Sequence, residues 1–85
     1  MIARITGEVR QLRANPRNEK YVDVAVLPEG SVNGTRMWAY ADAEGLDGVD
    51  IGATVEAEVY VQAKTSERGP YLSTQLRKVK VLTVA

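Results

Sequence analysis

Alternation of apolar and polar residues, the mark of half-buried β-strands, recurs along most of the chain. It is clearest over Thr54–Lys64, which places Val55, Ala57, Val59, Val61 and Ala63 inward and Thr54, Glu56, Glu58, Tyr60, Gln62 and Lys64 outward. A second run, Tyr21–Leu27, sets Val22, Val24 and Val26 against Tyr21, Asp23, Ala25 and Leu27. A third, Thr35–Ala41, has a small apolar face of Thr35, Met37, Ala39 and Ala41 and an opposite face of Arg36, Trp38 and Tyr40. Residues 2–13 are rich in β-branched side chains and predict a curved first strand, which Gly7 interrupts as a bulge or a sharp bend. The last strand is expected from Tyr71 to about Leu82. Its apolar phase changes from Leu72, Thr74 and Leu76 to Val79 and Val81, which implies a bulge near Arg77 and Lys78.

The joints between these runs carry turn chemistry. Residues 14–19 (ANPRNE) form a basic loop, because Asn bonds its own backbone and Pro fixes φ. Residues 28–34 end in Asn-Gly and join strands two and three as a hairpin. Residues 66–70 close another hairpin. Residues 42–52 hold three glycines and four acids, a composition that allows no more than about a turn of helix, so they read as a connector. The prediction is an all-β protein, a five-stranded barrel that closes its edges, with residues 1–85 forming one domain. There is no helical heptad, internal repeat or low-complexity tail.

Composition narrows the chemistry. The 85 residues include no Cys and no His. That removes disulfides, zinc fingers and every catalytic system built on imidazole or thiol, and leaves only carboxylates to bind a metal; with no nucleophile-base pair or metal cluster evident, no enzymatic activity, metal or cofactor is expected. No apolar run reaches the length of a membrane span, and residues 1–6 lack the order of a signal peptide; a soluble, cytoplasmic protein is expected.

Charge is balanced overall, eleven basic against eleven acidic residues, but divided along the chain. Residues 1–20 carry +3, residues 64–85 carry +4, and residues 21–63 carry −7. If the basic ends meet, they make a positive surface that the net charge conceals.

Trp38 and Tyr40, two residues apart, share one strand face, while the opposite face already supplies a core. That makes them a candidate stacking platform for nucleobases, each contact contributing about 1 to 3 kcal/mol. Arg36 precedes them on the same face and Tyr21 belongs to the adjacent strand, a mixture suited to phosphate contact and stacking. Arg13, Arg17 and Lys20 flank the first loop and Lys64 and Arg68 the last hairpin, the two loops that border such a face. Tyr60 and Tyr71 are candidates to extend it. Asp42, Glu44, Asp47 and Asp50 lack the spacing of a calcium loop and read as a solvated turn. Glu56 and Glu58 are expected to oppose basic residues on a neighbouring strand.

The order of these elements resembles an OB-fold, a five-stranded Greek-key barrel, over nearly the whole chain. Its size, and the ending Gly69-Pro70-Tyr71-Leu72-Ser73-Thr74-Gln75-Leu76-Arg77-Lys78-Val79, are similar to small single-stranded DNA-binding proteins, including the compact phage type. The absence of Phe and of a long acidic tail departs from that pattern. The resemblance implies sequence-tolerant binding of single-stranded DNA by a homodimer, in DNA replication or protection. Carried over position by position, it assigns nucleic-acid contact to Tyr21, Arg36, Trp38 and Tyr40 on the strand face and to Arg13, Arg17, Lys20, Lys64 and Arg68 in the loops. An RNA-binding barrel of the translation apparatus and a protein-interaction barrel are the other two classes the same residues admit.

Overall fold

In the computed structural model, which describes residues 1–85, five strands close into a barrel in the order β1-β2-β3-β5-β4. They are β1 (Ile2–Ala14), β2 (Tyr21–Pro28), β3 (Met37–Asp42), β4 (Thr54–Ser66) and β5 (Gly69–Thr83). All neighbours are antiparallel except β3 and β5, which are parallel and meet at the single pair Tyr40 and Gln75. This is the all-β, five-stranded closed barrel expected from the alternation, and it agrees with the OB-fold that the resemblance implied.

Closure depends on β1 serving two partners: residues 2–8 pair with β4, and residues 7–14 pair with β2. Gly7 sits at the changeover, paired with both Pro28 and Val55. A side chain has no room there, since an added Cβ would lie 2.6 Å from the Leu27 carbonyl oxygen and 2.7 Å from Val26 Cγ1. The bulge in β1 falls later, at Arg10, between the pairs Val9 with Val26 and Gln11 with Ala25. Gly7 therefore marks a close crossing of strands, and Arg10 supplies the irregularity. In β5 the register slips between Glu58 opposite Arg77 and Glu56 opposite Lys80, where the change of apolar phase predicted it. Lys78 takes a left-handed backbone there, with φ of 53°.

The core is built from small β-branched and Ala side chains because a five-stranded barrel is narrow. Val9, Val24, Val26 and Val55 are fully buried, with Ala39, Ala41, Ala57, Val59 and Leu76 around them. Each of those valines contributes roughly 1.5 to 3 kcal/mol through burial. The connector is more than a solvated turn. After a short 3-10 turn at Ala43–Leu46, it sends Leu46 and Val49 into the core, while Asp42, Glu44, Asp47 and Asp50 stay exposed.

Three expectations about burial are corrected. Ala25 keeps the outer face assigned to it, in register between Gln11 and Trp38, yet is fully buried there. Ala63 is exposed, because past Val61 strand β4 has only β5 beside it and the two project from the barrel as a hairpin arm. Leu72 keeps its predicted phase but lies on this arm and is 71% exposed. The third strand also begins at Met37, later than Thr35, after a turn in which Asn33 and Gly34 adopt positive φ.

Candidate nucleic-acid interface

The face in question follows from register. Across the outer surface of β1, β2, β3 and β5, one row reads Arg13, Asp23, Tyr40 and Gln75. The next row toward the start of β3 reads Gln11, Ala25 and Trp38. Because Ala39 and Ala41 fill the inward positions, Trp38 and Tyr40 must point outward. Trp38 is 43% exposed and Tyr40 half-buried. The aromatic pair is therefore outside the core, as its strand pattern required.

The aromatics are held by their neighbours. Tyr21 meets Tyr40 edge to face, with ring centroids 5.2 Å apart. The Arg13 guanidinium lies 4.9 Å from the centre of the Trp38 ring, and the Lys64 ammonium reaches 5.9 Å from that of Tyr40. Asp23 fixes Arg13: its Oδ2 accepts from Arg13 Nη2 at 3.3 Å, while its Oδ1 accepts from Asn15 Nδ2 at 3.1 Å. Asn15 in turn shapes the first loop, its Oδ1 accepting from the backbone N–H groups of Arg17 and Asn18. Asn15 thus shapes the turn and also steadies the platform's edge.

The two basic loops do approach each other. Arg17 from the first loop, and Ser66, Glu67, Arg68 and Tyr71 from the arm, line one groove of about 500 Å³. Neither Arg17, Arg68 nor Lys64 has a carboxylate partner; the ion-paired cations are Arg4, Arg10, Arg13 and Lys78. Two expected residues fall elsewhere. Lys20 lines a separate groove with Glu19, Asp42 and Glu44, and Arg36 lies just before β3, exposed, beyond Trp38. Glu56 and Glu58 face basic neighbours as expected: Arg4 is 3.1 Å from Glu56, and Glu58 lies 3.8 Å from Arg4 and 3.6 Å from Lys78.

Some participants were not singled out from sequence. A surface cavity of about 260 Å³ beside Trp38 and Tyr40 is lined by Asn15, Asp23, Ser73 and Thr74 as well as Arg13. Ser73 and Thr74 arrive there through the parallel β3–β5 contact, a pairing between distant segments that no local pattern encodes. Arg77 stacks 4.1 Å over Tyr60 and donates to Gln75 at 3.0 Å, one strand further round the barrel. The signal for that pair was present in the alternation of β4, which placed Tyr60 outward.

A closed OB barrel with aromatic side chains on its β2–β3 face and cationic loops beside it is a fold with known counterparts. No family model matches the sequence, and no curated protein is significantly similar to it. Among solved structures, the chain is similar to Rim1, a mitochondrial single-stranded DNA binding protein from S. cerevisiae. It aligns with TM-score 0.62 and 15% identity over 99% of this chain and 95% of that one. A selenomethionine-labelled Rim1 crystal structure gives TM-score 0.61 and 15% identity, covering 100% of this chain and 97% of Rim1. At that identity the likeness is one of fold.

Proposed function

We propose that this protein binds single-stranded DNA, with little dependence on sequence, by stacking bases on the outer face of β2 and β3. The observation that carries the reading is Trp38: the only tryptophan, on a strand whose inner face is already filled, held exposed with Tyr40 beside it and Arg13 over its ring. Trp38 and Tyr40 stack successive bases, and Tyr21 buttresses Tyr40. Arg17, Lys64 and Arg68 take the phosphates, since none of them is ion-paired; Arg17 and Arg68 line one groove together with Glu67, and Lys64 reaches the Tyr40 ring. Arg36 extends the track beyond Trp38, and Lys20, set among Glu19, Asp42 and Glu44, adds least. The shared fold supports this ligand, because Rim1 is a single-stranded DNA binding protein whose structure matches nearly the whole chain.

Titrating intrinsic Trp38 fluorescence with oligo-dT tests the reading. Quenching that saturates at low salt and reverses as salt rises is expected, because stacking reports at the ring and phosphate contacts release counterions. Trp38→Ala should weaken binding by about 1 to 3 kcal/mol and leave the fold intact. An unchanged emission with excess oligonucleotide would move the assignment to a protein-binding role for the same aromatics.

A further inference from the structure

The cavity beside the platform contains a feature that an indifferent stacking surface does not need. Asp23 lies on the outer face, in register between Arg13 and Tyr40, with its side chain 19% exposed. It is an anion in the middle of a surface offered to a polyanion. Its charge is offset by Arg13, which lines the same cavity, so the cavity lacks the net positive charge of a phosphate site and its acceptor oxygens suit a base edge better than backbone.

From this arrangement we infer that the cavity reads the edge of one base and favours bases bearing an exocyclic amine over thymine and uracil. The inference rests on the single-strand reading and specifies it. Cytosine, adenine and guanine each carry an amino group that can donate to a carboxylate, and acceptance from cytosine N4 is an established role for Asp. An ionised carboxylate has about four acceptor positions. Asp23 spends one on Arg13 Nη2 and one on Asn15 Nδ2, one at each oxygen, so acceptor capacity remains on both. The guanidinium of Arg13 and the side chains of Asn15 and Ser73 line the same cavity and supply donors for the ring nitrogen and carbonyl beside the amine. Trp38 and Tyr40 flank the space, so a base stacked on either ring brings its edge to this group. Thymine presents two carbonyl oxygens around its single ring N–H, and the carboxylate opposes them. The preference acts at one position of a track that elsewhere accepts any base.

The test compares oligo-dC and oligo-dT of equal length by Trp38 quenching, at mildly alkaline pH where cytosine carries no proton. Oligo-dC should bind about tenfold tighter, the worth of one hydrogen bond to a charged acceptor. Replacing cytosine with N4,N4-dimethylcytosine should bring binding to the oligo-dT level or below, a result that needs no protein variant. Asp23→Asn should shrink the difference to less than about twofold, read as the ratio of the two oligonucleotides within the variant, since the change also loosens Arg13 and Asn15 for both. If both oligonucleotides quench Trp38 and oligo-dT is equal or tighter, or if the advantage of oligo-dC survives Asp23→Asn, the base-edge role is wrong and single-strand binding stands. If neither binds, both readings fall together.

Discussion

Gly7→Ala is the smallest change that should damage the barrel, and its cost can be worked from the geometry. The new methyl group would sit 2.6 Å from the Leu27 carbonyl oxygen, 2.7 Å from Val26 Cγ1 and 3.0 Å from Pro28 Cα. Ordinary contact begins at 3.4 Å, so the Leu27 oxygen must retreat by about 0.8 Å. Two of these three atoms are β2 backbone, and no rotamer change relieves them. Moving that backbone disturbs the pairs Gly7 with Pro28 and Glu8 with Leu27, where β1 passes from β4 to β2 and the barrel closes. Overpacking of this kind costs about 2 to 3 kcal/mol, within the usual range for inserting a methyl group into a filled site. For a domain this small, that lowers Tm by about 8 to 24 °C. Thermal denaturation followed by circular dichroism measures it, with Gly45→Ala as the control. Gly45 has no atom nearer than 4.0 Å to its added Cβ and no positive φ, so the same substitution there should be neutral or stabilising by about 0.4 to 1 kcal/mol. Equal Tm values for the two variants would refute the crossing argument.

Three further outcomes follow from other parts of the molecule. Lys78→Gly should raise stability by up to about 1 kcal/mol, because its φ of 53° suits glycine and the Lys78 side chain is 74% exposed, with Arg4 left to pair with Glu58; urea denaturation measures the midpoint shift. Leu76→Ala should cost about 2 to 5 kcal/mol, since Leu76 is the one large side chain that β5 gives to the core, and thermal melts should show it. Glu58→Gln, by contrast, removes partners that are 68% and 74% exposed and should change stability by less than about 1 kcal/mol, with the difference fading in added salt.

What could be read from the sequence was whatever one strand decides for itself. The alternation of Val55, Ala57 and Val59 announced β4, and the slip of phase between Leu76 and Val79 announced the bulge at Lys78. The outward turn of Trp38 and Tyr40 was legible for the same reason: the opposite face of the strand, with Met37, Ala39 and Ala41, already offered a core, and both alanines are buried. What depends on two distant segments was not. Leu46 and Val49 plug the barrel from a connector with no period to betray them. Ala25 is sealed by Gln11 and Trp38, a fact that depends on the register set by the bulge at Arg10. The approach of Ser73 and Thr74 to Trp38 depends on a single parallel bridge. Ala63 alternates faultlessly and is still exposed, because nothing in its own strand says where the barrel wall ends.

Salt dependence separates the charge that matters from the charge that can be counted. A chain of zero net charge, judged as a whole, should have little affinity for a polyanion. Pairing alters that judgement. Arg4, Arg10, Arg13 and Lys78 are each held by a carboxylate, while Arg17, Lys64 and Arg68, beside the aromatic face, are not. Four unpaired acids, Asp42, Glu44, Asp47 and Asp50, are carried by the connector and exposed. At physiological ionic strength the Debye length is about 8 Å, so a phosphate in the Arg17–Arg68 groove responds to the charges that line it, Arg17 and Arg68 against Glu67, far more than to acids beyond that distance. Each contact to a single strand contributes about 0.7 to the slope of log K against log salt, so these three give a slope of about −2, and Arg36 on the extended track brings it to about −3. Arg17→Ala and Arg68→Ala should each reduce its magnitude by about 0.7, and the Arg10→Ala variant, which loses a cation already paired with Glu8, should leave it unchanged. A slope steeper than about −4 would mean that paired cations let go of their carboxylates to meet the strand, and the division between free and occupied charge would then fail as a guide to the binding surface.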